Sequence, residues 1–244
     1  MLFALRKLRK SLIGSSSLRR YTLYALGEIA LVVVGILIAL QINNWSEEKK
    51  SDQRELSLLS ELRSNLETNV INLQRDVSRQ VFGANCLGKV ISHLEARLPY
   101  SDSMSYFLTE GMPAPDVILT SSAFETLKSA GLESIRSDSL RRDIINLFEV
   151  VYPELMQETK RLEDQIWPAV VVPLQQKHFK VMPDAKYIPT DYSQLLTDQE
   201  FINMLSFRLA LRTGSTELKT KTISSTKHVI FSIERELEIR KNNH

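Results

Sequence analysis

A single cysteine, Cys86, stands among 244 residues, so no intramolecular disulfide exists and cysteine usage leaves the redox compartment open. Cys86 reads as a small buried core residue, with interchain pairing as the sharper alternative. Glycine and proline number 8 each, together about half of average usage, which favours long helices. Reaction motifs are missing too: there is no GxSxG, HExxH, P-loop, Rossmann fingerprint or CxxC. His93, His178, His228 and His244 are scattered without metal-ligand spacing. Cys86 and His93 sit two helical turns apart, about 10 Å along an axis, too far for a nucleophile and its base. Carboxylate groupings such as Glu47-Glu48 and Glu234-Glu236-Glu238 read as solvated helix faces. The sequence therefore predicts no catalytic residue, no metal site and no cofactor, and a protein that is not an enzyme.

Ordinary composition, 43% apolar and 25% charged, excludes wholesale disorder and collagen-like repeats. The charges are unevenly placed. Residues 1–22 carry Arg6, Lys7, Arg9, Lys10, Arg19 and Arg20 with no acid, and Glu28 is the only charge in residues 23–45. Removing these from 31 basic and 29 acidic residues leaves 25 and 28 after Trp45, a mildly acidic remainder. The basic pI comes from a short tail, and no later segment interleaves clustered Lys/Arg with aromatics, so nucleic acid is not an expected partner.

Residues 23–42, LYALGEIALVVVGILIALQI, would span roughly 30 Å as a helix, the thickness of a bilayer's hydrocarbon core. Tyr21 precedes the run, Tyr24 lies at its start and Trp45 follows it, an interface anchor at each end. A cleaved signal peptide fits poorly, because the run is long and no small-x-small site follows it. The expectation is a signal anchor in the cell (inner) membrane. Six basic residues precede the span and only Lys49, Lys50 and Arg54 follow closely, which places the N-terminus in the cytoplasm and the rest outside. The predicted organisation is a basic cytoplasmic tail at 1–22, a transmembrane helix at 23–42 and an extracytoplasmic helical domain at 43–244. Residues 2–13 also suit a short amphipathic helix on anionic headgroups.

Glu28 is the odd residue of the span, since a carboxylate in a bilayer is costly and usually faces protein. Glu28, Gly35, Ala39 and Ile42 share one helical face, and Gly35 with Ala39 forms a small-xxx-small pair that permits close helix approach. Two readings stand. Either this face packs against a second copy or another envelope protein, or Glu28 reaches headgroup water about one turn away.

Residues 24–45, YALGEIALVVVGILIALQINNW, resemble the N-terminal signature GEIxLVVxGILIALQINNW of a family of uncharacterised single-pass bacterial envelope membrane proteins. Residues 122–141, SAFETLKSAGLESIRSDSLR, are similar to a second pattern of that family, S-x-F-x-x-L-x-S-x-G-x-L-x-x-I-x-x-x-x-L-R. Here Gly131-Leu132 comes one residue closer, a small departure. The resemblance implies a membrane protein with an all-helical extracytoplasmic domain, and brings no catalytic or ligand residues with it.

All eight prolines fall between Pro99 and Pro189, leaving residues 1–98 and 190–244 as helical arms. Leu59, Leu66 and Leu73 repeat every seven residues, with Leu56, Val70 and Val77 as a second row. Leu31, Ile38 and Trp45 continue that phase back into the span. Ile202, Leu209, Ile223, Ile230 and Leu237 give the last arm its phase, with a capping box at Thr197 and Glu200 and a candidate kink near Gly214. Ser122 and Glu125 form another capping box before a short helix that Gly131 ends. A longer helix starts near Asp138, and Pro153, Pro168 and Pro173 start, kink or interrupt the helices beyond it. Residues 166–174, IWPAVVVPL, read as core, and residues 182–197 as a loop with turns at Pro183-Asp184 and Pro189-Thr190. The fold expected is all-α, one transmembrane helix continuing into an elongated antiparallel bundle. The function expected is a scaffold or accessory subunit binding another envelope protein or itself, with a ligand-sensing bundle as the alternative. An exposed apolar seam favours the first and a polar pocket within the bundle favours the second.

Overall fold

The computed structural model describes residues 18–113 and 117–242, so the amphipathic helix expected at 2–13 lies outside the described residues. The chain divides into two units, 1–54 and 55–244. The first helix, α1 (Leu18–Glu95), contributes to both. In the first unit it holds an apolar window of mean hydropathy 2.5, none of it buried. By length and composition this helix can cross a membrane.

The second unit is nearly all helix. After α1 come α2 (Asp102–Gly111), α3 (Ser122–Ala130) and a 3-10 turn at Leu132–Ser134. Next are α4 (Asp138–Asn146), α5 (Tyr152–Arg161) and α6 (Val172–His178), then a hairpin of β1 (Phe179–Val181) and β2 (Tyr187–Pro189). The short α7 (Tyr192–Leu195) and the long α8 (Gln199–Asn242) close the order. Local chemistry sets these boundaries. Helix α1 ends in a Schellman turn, with Leu98 N–H donating to His93 O and Arg97 N–H to Leu94 O. There Arg97 takes a left-handed φ of 51°, a place usually given to glycine, and Pro99 forbids further helix. Ser101 caps α2 by accepting from Met104 N–H, and Ser137 caps α4 by accepting from Leu140 N–H. Gly131 ends α3 at φ 94°, a conformation that strains any residue with a Cβ.

The prolines do not break the middle of the chain. Helix runs from Asp138 to His178 through two π-helical segments, Leu147–Val151 beside Pro153 and Leu162–Val171 containing Pro168. A widened turn relieves the clash of a proline ring with the preceding turn, so the path continues.

Several sequence expectations are corrected. Residues 182–197 are not simply a loop: they complete an antiparallel hairpin pairing Phe179 with Pro189 and Val181 with Tyr187, followed by α7. Three-residue strands are too short to display an alternating pattern. Neither capping box forms. Ser122 Oγ instead donates to Asn65 Oδ1 at 2.9 Å, and Asp198, not Thr197, caps α8 by accepting from Phe201 N–H at 3.0 Å. Thr213 to Thr216 lie within unbroken α8. Of residues 166–174 only Val171 and Leu174 are buried, while Pro168 to Val170 are exposed.

The buried face of α1 has two seven-residue rows, Leu59, Leu66, Leu73, Gln80, Leu87, Leu94 and Glu55, Leu62, Asn69, Asp76, Gly83, Val90. The first contains the predicted leucines. The second runs one position from the predicted row, of which Val70 is buried while Leu56 and Val77 flank the seam. In α8 the buried rows are Leu205, Arg212, Lys219, Thr226, Ile233 and Phe201, Arg208, Thr222, Val229. Of the predicted phase Ile202 is buried, but beyond it the phase is one residue off: Leu209, Ile223, Ile230 and Leu237 are only half-buried.

Two large apolar cores and a small cluster of Leu73, Val117 and Leu155 lie along these rows. One joins Leu59, Leu62 and Leu66 to Phe124, Leu127, Ile144, Phe148, Val229 and Ile233, with the Phe124 and Phe148 rings stacked at 4.3 Å. The other joins Leu87, Val90 and Leu94 to Met104, Leu108, Leu174, Phe179, Phe201 and Leu205. Between them α1 and α8 turn mainly polar faces inward. Asn69 exchanges hydrogen bonds with the Thr120 backbone at 2.7 and 2.9 Å and donates to Tyr152 Oη, which meets Thr226 Oγ1 at 3.2 Å. Burial raises the Tyr152 phenol above its ordinary pKa. Next along the rows Asp76 and Lys219 form a buried ion pair. Glu55, 1% exposed, accepts from Arg136 N–H at 3.0 Å and pairs with Arg240 at 3.5 Å.

Candidate functional site

The four residues singled out in the span, Glu28, Gly35, Ala39 and Trp45, all lie on α1 and are all exposed. Gly35 has nothing within 4 Å of where a Cβ would sit. Trp45 is 62% exposed, with the Lys49 ammonium 5.4 Å from its ring centroid. Spacings of seven and four residues put Glu28, Gly35 and Ala39 on one helical face, and among the described residues no side chain covers it.

The structure also brings together residues that the pattern of apolar positions did not single out. Helix α2 ends at Gly111, and a helix C-terminus leaves carbonyls unpaired and carries partial negative charge. Two arginines of α8 meet those carbonyls: Arg208 Nη2 donates to Met112 O, and Arg212 Nη2 donates to Gly111 O at 2.9 Å and to Pro113 O. Arg208 Nη1 also contacts Met112 Sδ at 3.4 Å, and its guanidinium lies 4.7 Å from the Trp167 ring centroid. Burial lowers the Arg212 pKa, and burial followed by the Arg212 charge lowers that of Arg208 to about 9. Gly83 makes the approach possible, because a Cβ there would collide with Arg212 Nη1. Beside the two guanidiniums is a cavity of about 80 Å³, lined by Gln80, Ile166, Trp167, Val171, Arg208, Leu211, Arg212 and Ser215. The i, i+4 spacing of Arg208 and Arg212, one on each core-facing row of α8, was the available sequence signal.

His178 and Asp198 form a third grouping. Asp198 accepts from Lys177 Nζ at 2.5 Å and from Phe201 N–H, and it lies 2.9 Å from His178 Nε2. The Lys177 ammonium, then the Phe201 amide, hold its carboxyl at about 2 against an ordinary 3.8. His178 is 1% exposed and packs against Phe179 and Phe201, so the grouping fastens the hairpin to the start of α8. A carboxylate with a depressed folded-state pKa stabilises above its unfolded value and loses that contribution as pH falls through the folded one. Urea midpoints should therefore fall between pH 4 and pH 2, and Asp198→Asn should flatten that part of the profile; an identical slope in the variant would contradict this role.

Among the described residues no group of three or more His, Cys, Asp or Glu side chains is placed to hold a metal. A family model described as a family of unknown function, DUF6090, matches residues 28–210. No curated protein and no solved structure matches the chain.

Proposed function

The chain belongs to the DUF6090 family of unknown function, and from its own residues we propose a signal-anchored, single-pass protein of the cell (inner) membrane that works by binding. Its N-terminus is cytoplasmic and its helical domain extracytoplasmic. The observation that carries the reading is the wholly uncovered apolar window of α1, joined to the basic residues that precede it. The domain is an antiparallel bundle of α1 and α8. Its support is the order of the ion pairs, Glu55 with Arg240, Arg63 with Glu234 and Asp76 with Lys219, in which one number rises as the other falls.

The leading role is a non-enzymatic scaffold or accessory subunit in the cell envelope. The exposed Glu28, Gly35 and Ala39 face is the surface for a second copy or another envelope protein, within a lipid bilayer where an uncovered carboxylate is costly. In-cell crosslinking of the full chain tests it. Glu28→Leu is expected to lower the yield of crosslinked dimer or hetero-complex by about tenfold, the equivalent of about 1.4 kcal/mol. An unchanged yield would assign Glu28 to headgroup water. The second reading, an extracytoplasmic sensor acting through a partner, is favoured by one observation, the cavity beside Arg208 and Arg212.

A further inference from the structure

Among the described residues that line it, the cavity beside Arg208 and Arg212 has two guanidiniums and no carboxylate. Lys219, two turns beyond Arg212 on the same helical row, takes the carboxylate of Asp76. Among the described residues neither guanidinium makes an ion pair with a carboxylate. Their fixed contacts are the neutral Met112, Gly111 and Pro113 groups and the face of Trp167. The partial charge of about −0.5 at the end of α2 offsets only part of two full positive charges. Each guanidinium has five N–H donors and those contacts leave some of them open.

The cavity walls narrow the chemistry. Arg208, Arg212, Gln80 and Ser215 are polar, and Ile166, Trp167, Val171 and Leu211 are apolar. One water needs about 10–15 Å³ of such space, so about 80 Å³ takes a ligand of roughly six heavy atoms. A planar carboxylate matches the guanidinium fork, and a short hydrocarbon tail matches the opposite wall. We propose that this cavity binds a short-chain aliphatic monocarboxylate, its head on Arg208 and Arg212 and its tail against Trp167, Ile166 and Val171. The site is independent of the membrane anchor, so it can fail while the topology stands.

The chain has two tryptophans, and in full-length protein carrying Trp45→Phe the fluorescence in detergent micelles reports on Trp167 alone. Sodium butyrate, against sodium chloride at equal ionic strength, is expected to give a saturable change. Butyramide, which has the same size and no charge, is expected to give none, and inorganic phosphate to half-saturate at least about tenfold higher. Arg208→Lys keeps the charge and loses the planar fork, so butyrate should bind about tenfold more weakly. Ser215→Phe leaves both arginines in place, fills a half-exposed part of the lining and should abolish the response. A linear or absent response to butyrate, an equal response to butyramide or phosphate, or saturation that survives Ser215→Phe would each overturn the proposal.

Discussion

Replacing Lys219 with methionine is expected to lower the free energy of unfolding by about 3–5 kcal/mol, the largest single-residue effect in this chain. The Lys219 and Asp76 side chains are only 2% and 5% exposed. Removing the ammonium strands a carboxylate where water does not reach it, and the desolvation cost is then uncompensated. The paired change Asp76→Leu with Lys219→Met removes both charges and returns most of the loss, because the intact pair's attraction is offset by the cost of burying two ions. Urea unfolding of the full chain in micelles, followed by far-UV circular dichroism, measures all three proteins. A double variant as unstable as Lys219→Met would show that the loss does not come from a stranded Asp76 carboxylate.

Gly83→Ala and Gly88→Ala are expected to move stability in opposite directions, although both sit in the interior of α1. A helical glycine changed to alanine ordinarily gains about 1 kcal/mol. At Gly88 nothing lies within 4 Å of the new methyl, so that gain should appear in full. At Gly83 the methyl would collide with Arg212 Nη1. The guanidinium must then withdraw from Gly111 O and Pro113 O, and charged hydrogen bonds of this kind are worth about 1.5–3 kcal/mol each. A net loss of about 2 kcal/mol is expected once the helix gain is subtracted. The same urea titration decides it, and two stabilised variants would show that Arg212 does not lie across α1 at Gly83.

These effects concentrate where sequence reading had least purchase. Leu59, Leu66 and Leu73 announced one row of the α1 seam because leucine at seven-residue spacing has a direct hydrophobic meaning. The companion row holds Glu55, Asn69, Asp76 and Gly83, which an apolar pattern reads as solvent-facing. In α8 the same bias shifted the phase by one residue beyond Ile202, since Arg208, Arg212, Lys219, Thr222 and Thr226 occupy the core-facing rows and Ile223 and Ile230 beside them are half-buried. Polar side chains reach such rows only when their partners are fixed by other elements, and those partners, the end of α2 and the loop at Thr120, are far away in sequence. Asn65, Asn69 and Asn72, at i, i+4 and i+7, were the most readable trace of this: all three bond the segment between Ile118 and Ala123. The helix start at Asp138 and the stop at Gly131 were legible because caps are local. The candidate cavity was not, because it joins α1, α8 and the second π-helical segment.

The buried polar middle also has a consequence for pairing. Apolar seams tolerate slips of a whole heptad, whereas Asp76 opposite Lys219 and Asn69 beside Tyr152 are satisfied in one register only.

Topology tests the central claim most directly. Alkaline phosphatase, active only outside the cytoplasm, and green fluorescent protein, fluorescent only inside it, are each fused after His244 of the full chain and compared in cells at matched expression. An active phosphatase and a dark fluorescent protein are expected. A fluorescent fusion with inactive phosphatase would place the helical domain in the cytoplasm and contradict the signal-anchor assignment.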